Sequence, residues 1–216
     1  MTNKTEKKFL RLFNGVKEYK GKDFLTDESL MKALNKGQRP HTLFIGCSDS
    51  RVIPNLITSS KPGELFIVRN IGNLVPYYDE NYNTYVATAA AIEYAVNILH
   101  VENIIVCGHS NCGACKALYS RKELSNLPFT KKWLELAFPV KAQVKAKLMA
   151  ENSRKNKSLY TEQLNVQEQI NHLFTYPYIK EKYDEEEISI MGWYYEIKTG
   201  QMYQYSPEKN DFEPLT

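Results

Sequence analysis

The sequence predicts an α/β protein: a central, mostly parallel β-sheet flanked by helices, with an N-terminal helical arm and a C-terminal β-hairpin extending the sheet. Three observations carry that prediction. Short apolar runs at Thr42 to Gly46, Leu65 to Arg69 and Asn103 to Cys107 lie between turn residues, as buried strands do. A helical rhythm from Thr84 to Leu99 feeds directly into the last of these runs, the alternation typical of parallel sheets. Near the end, Ile188 to Ile197, a Lys198-Thr199-Gly200 turn and Gln201 to Tyr205 read as a closing hairpin.

Taken in order, Thr5 to Tyr19 places Phe9, Leu10, Phe13 and Val16 at helical spacing. Thr26-Asp27-Glu28-Ser29 resembles a capping sequence, opening a second helix that runs to about Leu34 before Gly37. Residues 1–36 are therefore expected as a helical arm, able to lie across a neighbouring subunit, and residues 37–216 as the α/β core of a single domain spanning 1–216. Between the first two strands, Pro54 and Lys61-Pro62-Gly63 mark loop and turn. From Thr84 to Leu99 the residues Tyr85, Ala89, Ile92, Val96 and Leu99 fall at alternating steps of four and three, an amphipathic helix. Another helix continues past Cys112 through Leu118. Lys131 to Ala150 is helical in pattern, and Pro139 should kink or split it. Thr161 to Phe174 is a further helix carrying Leu164, Ile170 and Phe174, limited by Pro177. Asp184 to Glu187 reads as a solvated loop.

Composition narrows the function classes. With 216 residues, 43% hydrophobic and 25% charged, the chain reads as an ordinary globular domain with an ample core. A formal charge of +3 is too small to argue for nucleic acid. The basic segments Lys145 to Lys147 and Arg154 to Lys157 look like solvated helix faces. The start, Met1 to Lys8, is polar, and the apolar group Phe9 to Phe13 is broken by Arg11, unlike a signal peptide. No run approaches the ~20 apolar residues of a membrane span. Four cysteines without the spacing of a disulfide framework suit a reducing cytoplasm. Neither a nucleic-acid nor a membrane partner is expected.

The chemistry concentrates in two stretches. Phe44-Ile45-Gly46-Cys47-Ser48-Asp49-Ser50-Arg51 and Ile104-Ile105-Val106-Cys107-Gly108-His109-Ser110-Asn111-Cys112-Gly113 each run from an apolar strand through a glycine to metal-binding residues. A glycine there lets the next residue project from the sheet edge. If the strands are neighbours, Cys47, His109 and Cys112 converge. Two thiolates and an imidazole leave zinc one position short of a tetrahedron, as in catalytic rather than structural sites. Two thiolates cancel the charge of the ion, so its water should be less acidified than in a three-histidine site, where the pKa is about 7. Asp49 then either fills the fourth position or accepts a hydrogen bond from the metal's water. Arg51 can hold that carboxylate bidentately, keeping it ionised and off the metal.

Other readings of the same residues stand beside this one. Cys107, His109, Cys112 and Cys115 form a local set that would close a structural zinc site, leaving Asp49 and Arg51 idle. Cys112 and Cys115 also make a Cys-x-x-Cys, open to redox chemistry. Cys107 reads as a small core residue and Cys115 as a helix residue beside the site. A cysteine-nucleophile phosphatase is excluded, because three residues separate Cys47 from Arg51 and its phosphate loop needs five. His41, His100 and His172 read as surface or packing residues.

Cys47-Ser48-Asp49-Ser50-Arg51 together with Gly108-His109-Ser110-Asn111-Cys112-Gly113 resembles the β-class carbonic anhydrases. The likeness runs from about Lys36 to the final hairpin and includes Pro62-Gly63-Glu64 and Val68-Arg69-Asn70. It implies a zinc lyase, one Zn2+ per chain, that hydrates carbon dioxide reversibly to bicarbonate and a proton by attack of zinc-bound hydroxide. It implies zinc on Cys47, His109 and Cys112, with Asp49 and Arg51 as the adjacent catalytic dyad, in a homodimer or homotetramer whose sites lie close to the subunit interface. Gln38, Phe66 and Tyr94 match the substrate pocket of the plant-like group. A second group carries an inhibitory bicarbonate pocket of tryptophan, arginine and tyrosine. Arg69 and Tyr195 match it, but Phe44 stands where the tryptophan would be, so the plant-like group is favoured. The alternatives are a non-enzymatic zinc or thiol sensor on the same scaffold, and a hydrolase of another small heteroallene such as carbon disulfide.

Overall fold

The computed structural model describes residues 3–81, 84–151 and 156–215. It divides the chain into two units, Met1–Gln38 and Arg39–Thr216. In the first, α1 (Asn3–Glu18) runs through a π-helical turn, Tyr19–Asp23, into α2 (Phe24–Thr26), followed by α3 (Glu28–Leu34). The helical spacing of Phe9, Phe13 and Val16 is realised, and all three are exposed. The expected cap at Thr26 to Ser29 does not form. Asp27 makes no side-chain cap bond, and the Thr26 hydroxyl instead donates to the Lys22 carbonyl at 3.3 Å. The chain enters α3 from a helical turn, so the extended residue that a cap requires is missing.

The second unit is built on a six-stranded sheet ordered β2-β1-β3-β4-β5-β6. These are β1 (Thr42–Cys47), β2 (Leu65–Asn70), β3 (Asn103–His109), β4 (Ser189–Glu196), β5 (Gln201–Ser206) and β6 (Asp211–Pro214). The pairs β1–β2, β1–β3 and β3–β4 are parallel; β4–β5 and β5–β6 are antiparallel. The central strands β1 and β3 bury both faces, hence their continuous apolar sequence. Leu43, Ile45, Ile104 and Val106 pack into one core layer with Ile92, Val96, Val166 and Leu173. Phe44, Ile105 and Cys107 face the other way, toward Ile57 and Trp193. Strand β6 was not expected from sequence. Its single apolar anchor, Phe212, packs on the rings of Tyr194 and Tyr205, too sparse a pattern to read.

Between these strands run α4 (Pro54–Ile57), α5 (Val86–Glu93), α6 (Gly113–Ala117), α7 (Arg121–Leu124), α8 (Pro128–Leu134), α9 (Phe138–Ala150), α10 (Lys157–Leu173) and α11 (Pro177–Asp184). Pro54 opens a helical turn where a loop was expected, because its fixed φ and missing N–H suit a first helical residue. Pro177 does the same for α11, starting a helix as well as ending the one before. Pro139 splits the 131–150 stretch as expected, falling in the first turn of α9 after a 3-10 turn at Glu135–Ala137. The 84–99 helix begins only at Val86, since Tyr85 is left-handed with φ 58°. It ends in a π-helical turn, Tyr94–Ile98, which buries Ala95 and Val96 together and leaves Tyr94 and Ile98 exposed. Of the basic segment Arg154 to Lys157, Arg154 and Lys155 lie outside the described residues.

Helix α10 lies across β3 and β4 and decides where the site can form. A Cβ on Gly108 would stand 2.6 Å from Val166 Cγ2, and one on Gly192 2.8 Å from Ile170 Cδ1. Both strands therefore use glycine to let α10 approach. Gly108 thus has a packing role besides the expected one of letting His109 project from the sheet. The buried face of α10 is also unlike the expected one. Leu164, Ile170 and Phe174 are only partly buried, whereas Thr161, Glu162, Asn165, Gln169 and His172 are buried with Val166 and Leu173. Asn165, Gln169 and His172 satisfy the backbone of the irregular 72–75 segment. Asn165 donates to Gly72 O at 3.0 Å, Val75 N–H to Gln169 Oε1 at 2.8 Å, and His172 Nδ1 meets Val75 O at 2.6 Å. A buried loop has no other means of pairing its amides.

Candidate metal centre

The register of β1 and β3 brings the two motifs together. Gly46 pairs with Cys107, so Cys47 and His109 emerge at successive levels from neighbouring parallel strands. After His109 the chain turns through Asn111, left-handed at φ 56°, and reaches Cys112, the N-cap of α6. The ligand atoms of Cys47, His109 and Cys112 all lie within 4.8 Å of one another, and all three residues are buried.

Each donor is prepared for a cation. His109 Nδ1 lies 3.0 Å from the Ser110 carbonyl, an arrangement in which it donates its proton and leaves the lone pair on Nε2. Among the described residues that Nε2 is buried without a hydrogen-bond partner, which costs free energy unless something accepts the lone pair. The hydrogen bond with Cys112, together with burial, pushes the Cys47 thiol up to about 12. The Cys112 thiol, hydrogen-bonded with Cys115 and buried, is likewise pushed up to about 12. Adjacent thiolates are disfavoured alone and become favourable around a dication. Buried sulfur, nitrogen and sulfur donors at this separation fit zinc.

The surrounding residues hold these donors in place. Arg51 donates to Asp49 twice, from Nε to Oδ1 at 2.9 Å and from Nη2 to Oδ2 at 2.7 Å, and its N–H adds a third bond at 3.0 Å. These bonds hold the Asp49 carboxyl well below the usual carboxylate range. Asp49 Oδ2 stands 3.9 Å from His109 Nε2, beside the donors. Arg69 donates to the carbonyls of Cys47 at 3.1 Å and Asp49 at 2.7 Å, pinning the loop from the neighbouring strand.

Sequence reading missed Glu162. This residue of α10 is 5% exposed. Its Oε1 accepts from the Cys112 N–H at 3.2 Å and its Oε2 from the Tyr194 hydroxyl at 2.9 Å. Burial pushes its carboxyl up in spite of those bonds. Ser110 is held as well, donating to Glu196 Oε1 at 2.8 Å and accepting from the Ile197 N–H at 2.9 Å. In sequence, an isolated acid in a helix gives no sign of such a partner fifty residues away.

Phe66 and Tyr94 pair with ring centroids 6.1 Å apart. Phe66 sits in register with Leu43, four residues before Cys47, which at ~3.3 Å per residue is about 13 Å along the strand. Gln38 is exposed and belongs to the N-terminal unit. Phe44 is fully buried, with Trp193 edge-on to it at 6.4 Å between centroids. His172 is a buried packing residue, as read from sequence.

Comparisons with known proteins agree with this geometry. The family model described as "Carbonic anhydrase" matches residues 42–202. A carbonic anhydrase of Helicobacter pylori is 39% identical over 209 residues, covering 95% of this chain and 94% of that protein. One from Synechococcus elongatus is 37% identical, covering 93% and 73%. Among solved structures, the β-carbonic anhydrase CcaA superposes with TM-score 0.89 at 34% identity, covering 97% and 93%. A β-carbonic anhydrase described as tetrameric, from Sordaria macrospora, gives TM-score 0.80 at 30% identity, covering 92% and 96%.

Proposed function

Since the chain belongs to the carbonic anhydrase family, in its β class of zinc enzymes that convert carbon dioxide and water to bicarbonate and a proton, we propose that Cys47, His109 and Cys112 are its zinc ligands and Asp49 and Arg51 its catalytic dyad. The observation that carries this assignment is the unpartnered, buried His109 Nε2 aimed among two buried thiols, with an arginine-held carboxylate beside it.

Zinc bound there would supply a Lewis acid that makes a hydroxide nucleophile available, at a higher pH than in a three-histidine site. The protein's own residues do the rest. Asp49, kept ionised by Arg51, accepts a hydrogen bond from the attacking oxygen and fixes its remaining lone pair toward the substrate. Arg51 occupies both carboxylate oxygens, which keeps Asp49 from rotating onto the metal. Arg69 holds the backbone of both Cys47 and Asp49, so ligand and orienting group move together. Glu162 holds the backbone of Cys112 by accepting from its N–H.

Gln38, Phe66 and Tyr94 are proposed to line the substrate pocket across a subunit interface. Support comes from the ~13 Å strand offset of Phe66 from Cys47, and from the exposure of Tyr94 at 45% and Ile98 at 59%. Exposed apolar residues on α1 and on the 86–98 helix support a homo-oligomer, with residues 1–36 as the arm and 37–216 as the core. Among the described residues no helix is long and apolar enough to cross a membrane. Four free thiols support a reducing, cytoplasmic setting.

Stopped-flow hydration of carbon dioxide, followed with a pH indicator at pH 8 to 9, tests the assignment. The zinc-loaded wild type is expected to accelerate hydration, and Cys47→Ser to lose both metal and activity. Full activity in a metal-free Cys47→Ser protein would overturn it.

A further inference from the structure

Cys115 is a thiol that the hydration chemistry does not use. It is the third residue of α6, while Cys112 is the N-cap of the same helix. Its side chain packs in one buried cluster with those of Cys112 and Cys47. It stands outside the group whose atoms converge on a metal. Cys112 and Cys115 both line a cavity of about 350 Å³, bordered also by Lys116, Tyr119, Lys157 and Thr161. A cavity of that size readily admits water and a molecule as small as a peroxide. Cys107, by contrast, is fully buried in the middle of β3.

We propose that Cys112 and Cys115 form an oxidisable pair, a modification site at which a small peroxide joins the two sulfurs and detaches one ligand from the zinc site. The proposal rests on Cys112 being a zinc ligand. Counted as thiols, the chemistry balances with hydrogen peroxide as the two-electron oxidant. Its O–O bond breaks as one oxygen passes to the Cys115 sulfur, giving a sulfenic acid and one water. The Cys112 sulfur then attacks the sulfenic sulfur, the S–O bond breaks, the S–S bond forms and a second water leaves. Two residues between the cysteines, both at the start of α6 and packed in one cluster, put the bridge within reach without strand movement. The Cys112 backbone stays tied to Glu162, so only its side chain has to turn away from the metal. Cys47 and His109 alone are too few to retain zinc, and a dithiol reductant restores the set.

The test uses the zinc-loaded full chain and hydrogen peroxide. Zinc is measured with a chromogenic chelator, and disulfides are mapped by mass spectrometry of non-reduced peptides. Wild type is expected to release its zinc as a Cys112–Cys115 bridge accumulates, and to take zinc back after dithiothreitol. Cys115→Ser is expected to bind zinc before oxidation and to keep it through the same treatment. Zinc release from Cys115→Ser at the wild-type rate, or a bridge from Cys47 to Cys112 in the wild type, overturns the proposal. Loss of zinc from untreated Cys115→Ser also overturns it, because Cys115 would then be a ligand. Zinc content of Cys112→Ser before oxidation tests the ligand assignment separately. A metal-replete Cys112→Ser would sink that assignment while leaving the mapped disulfide to be judged by itself.

Discussion

Arg51 reaches two segments at once: the Nη2 that donates to Asp49 Oδ2 at 2.7 Å also lies 3.2 Å from the Asn111 carbonyl. One guanidinium thereby ties the loop after β1 to the turn that carries Cys112. A lysine cannot make this planar, forked set of bonds. Arg51→Lys is expected to keep zinc but lower kcat/KM about 10- to 100-fold, the usual range when support around a metal site is lost. Stopped-flow rates alongside metal analysis check this, and unchanged kinetics would remove the dyad from the mechanism.

Glu162 offers a prediction about stability and metal together. Glu162→Ala leaves the Cys112 N–H and the Tyr194 hydroxyl buried without an acceptor. At about 1–3 kcal/mol for each unsatisfied group, the loss should be roughly 2–6 kcal/mol. Urea unfolding of the zinc-free protein measures that cost, and competition with a chelator measures the expected fall in zinc affinity. Glu162→Gln keeps an acceptor for the Cys112 amide and should fall between wild type and alanine.

Gly108→Ala puts a methyl group where Val166 Cγ2 already stands, 2.6 Å from the built Cβ. Overpacking of this kind costs about 1–3 kcal/mol. The double variant Gly108→Ala, Val166→Ala should recover part of it, giving a non-zero coupling in a double-mutant cycle on unfolding free energies. Strict additivity would mean that α10 does not press on β3 here.

Removal of zinc should lower thermal stability as well as activity. A ligand present at 100 times its Kd stabilises the native state by about 2.7 kcal/mol, so the metal-free protein should melt several degrees lower. Calorimetry before and after dialysis against a chelator gives the shift, and re-addition of zinc should reverse it. Identical melting curves would argue against a buried metal site.

If Phe66 and Tyr94 serve a neighbouring subunit, breaking the interface should impair the reaction and spare the metal. Ile98→Asp places a charge on the exposed apolar side of the 86–98 helix. Light scattering should show a smaller assembly, with zinc content kept and hydration reduced. A monomer as active as the wild type would place the whole pocket within one chain.

Much of this molecule was legible in its order of residues. Continuous apolar runs in β1 and β3 announced strands covered on both faces, and the step of four and three in the 84–99 stretch announced a helix. Cysteine and histidine type, with the spacing of Cys47 to Arg51 and His109 to Cys112, announced a metal site, because few other chemistries use that donor set. Such signals are local, and periodicity or ligand chemistry suffices to carry them. What only the tertiary structure decided is which polar groups are buried, and by whom. Glu162, Asn165 and Gln169 have the sequence character of a solvated helix face, yet they lie against Cys112 and the 72–75 segment. A polar side chain becomes a structural part only when folding brings an unpaired partner to it, and the linear order of residues carries no record of that distance.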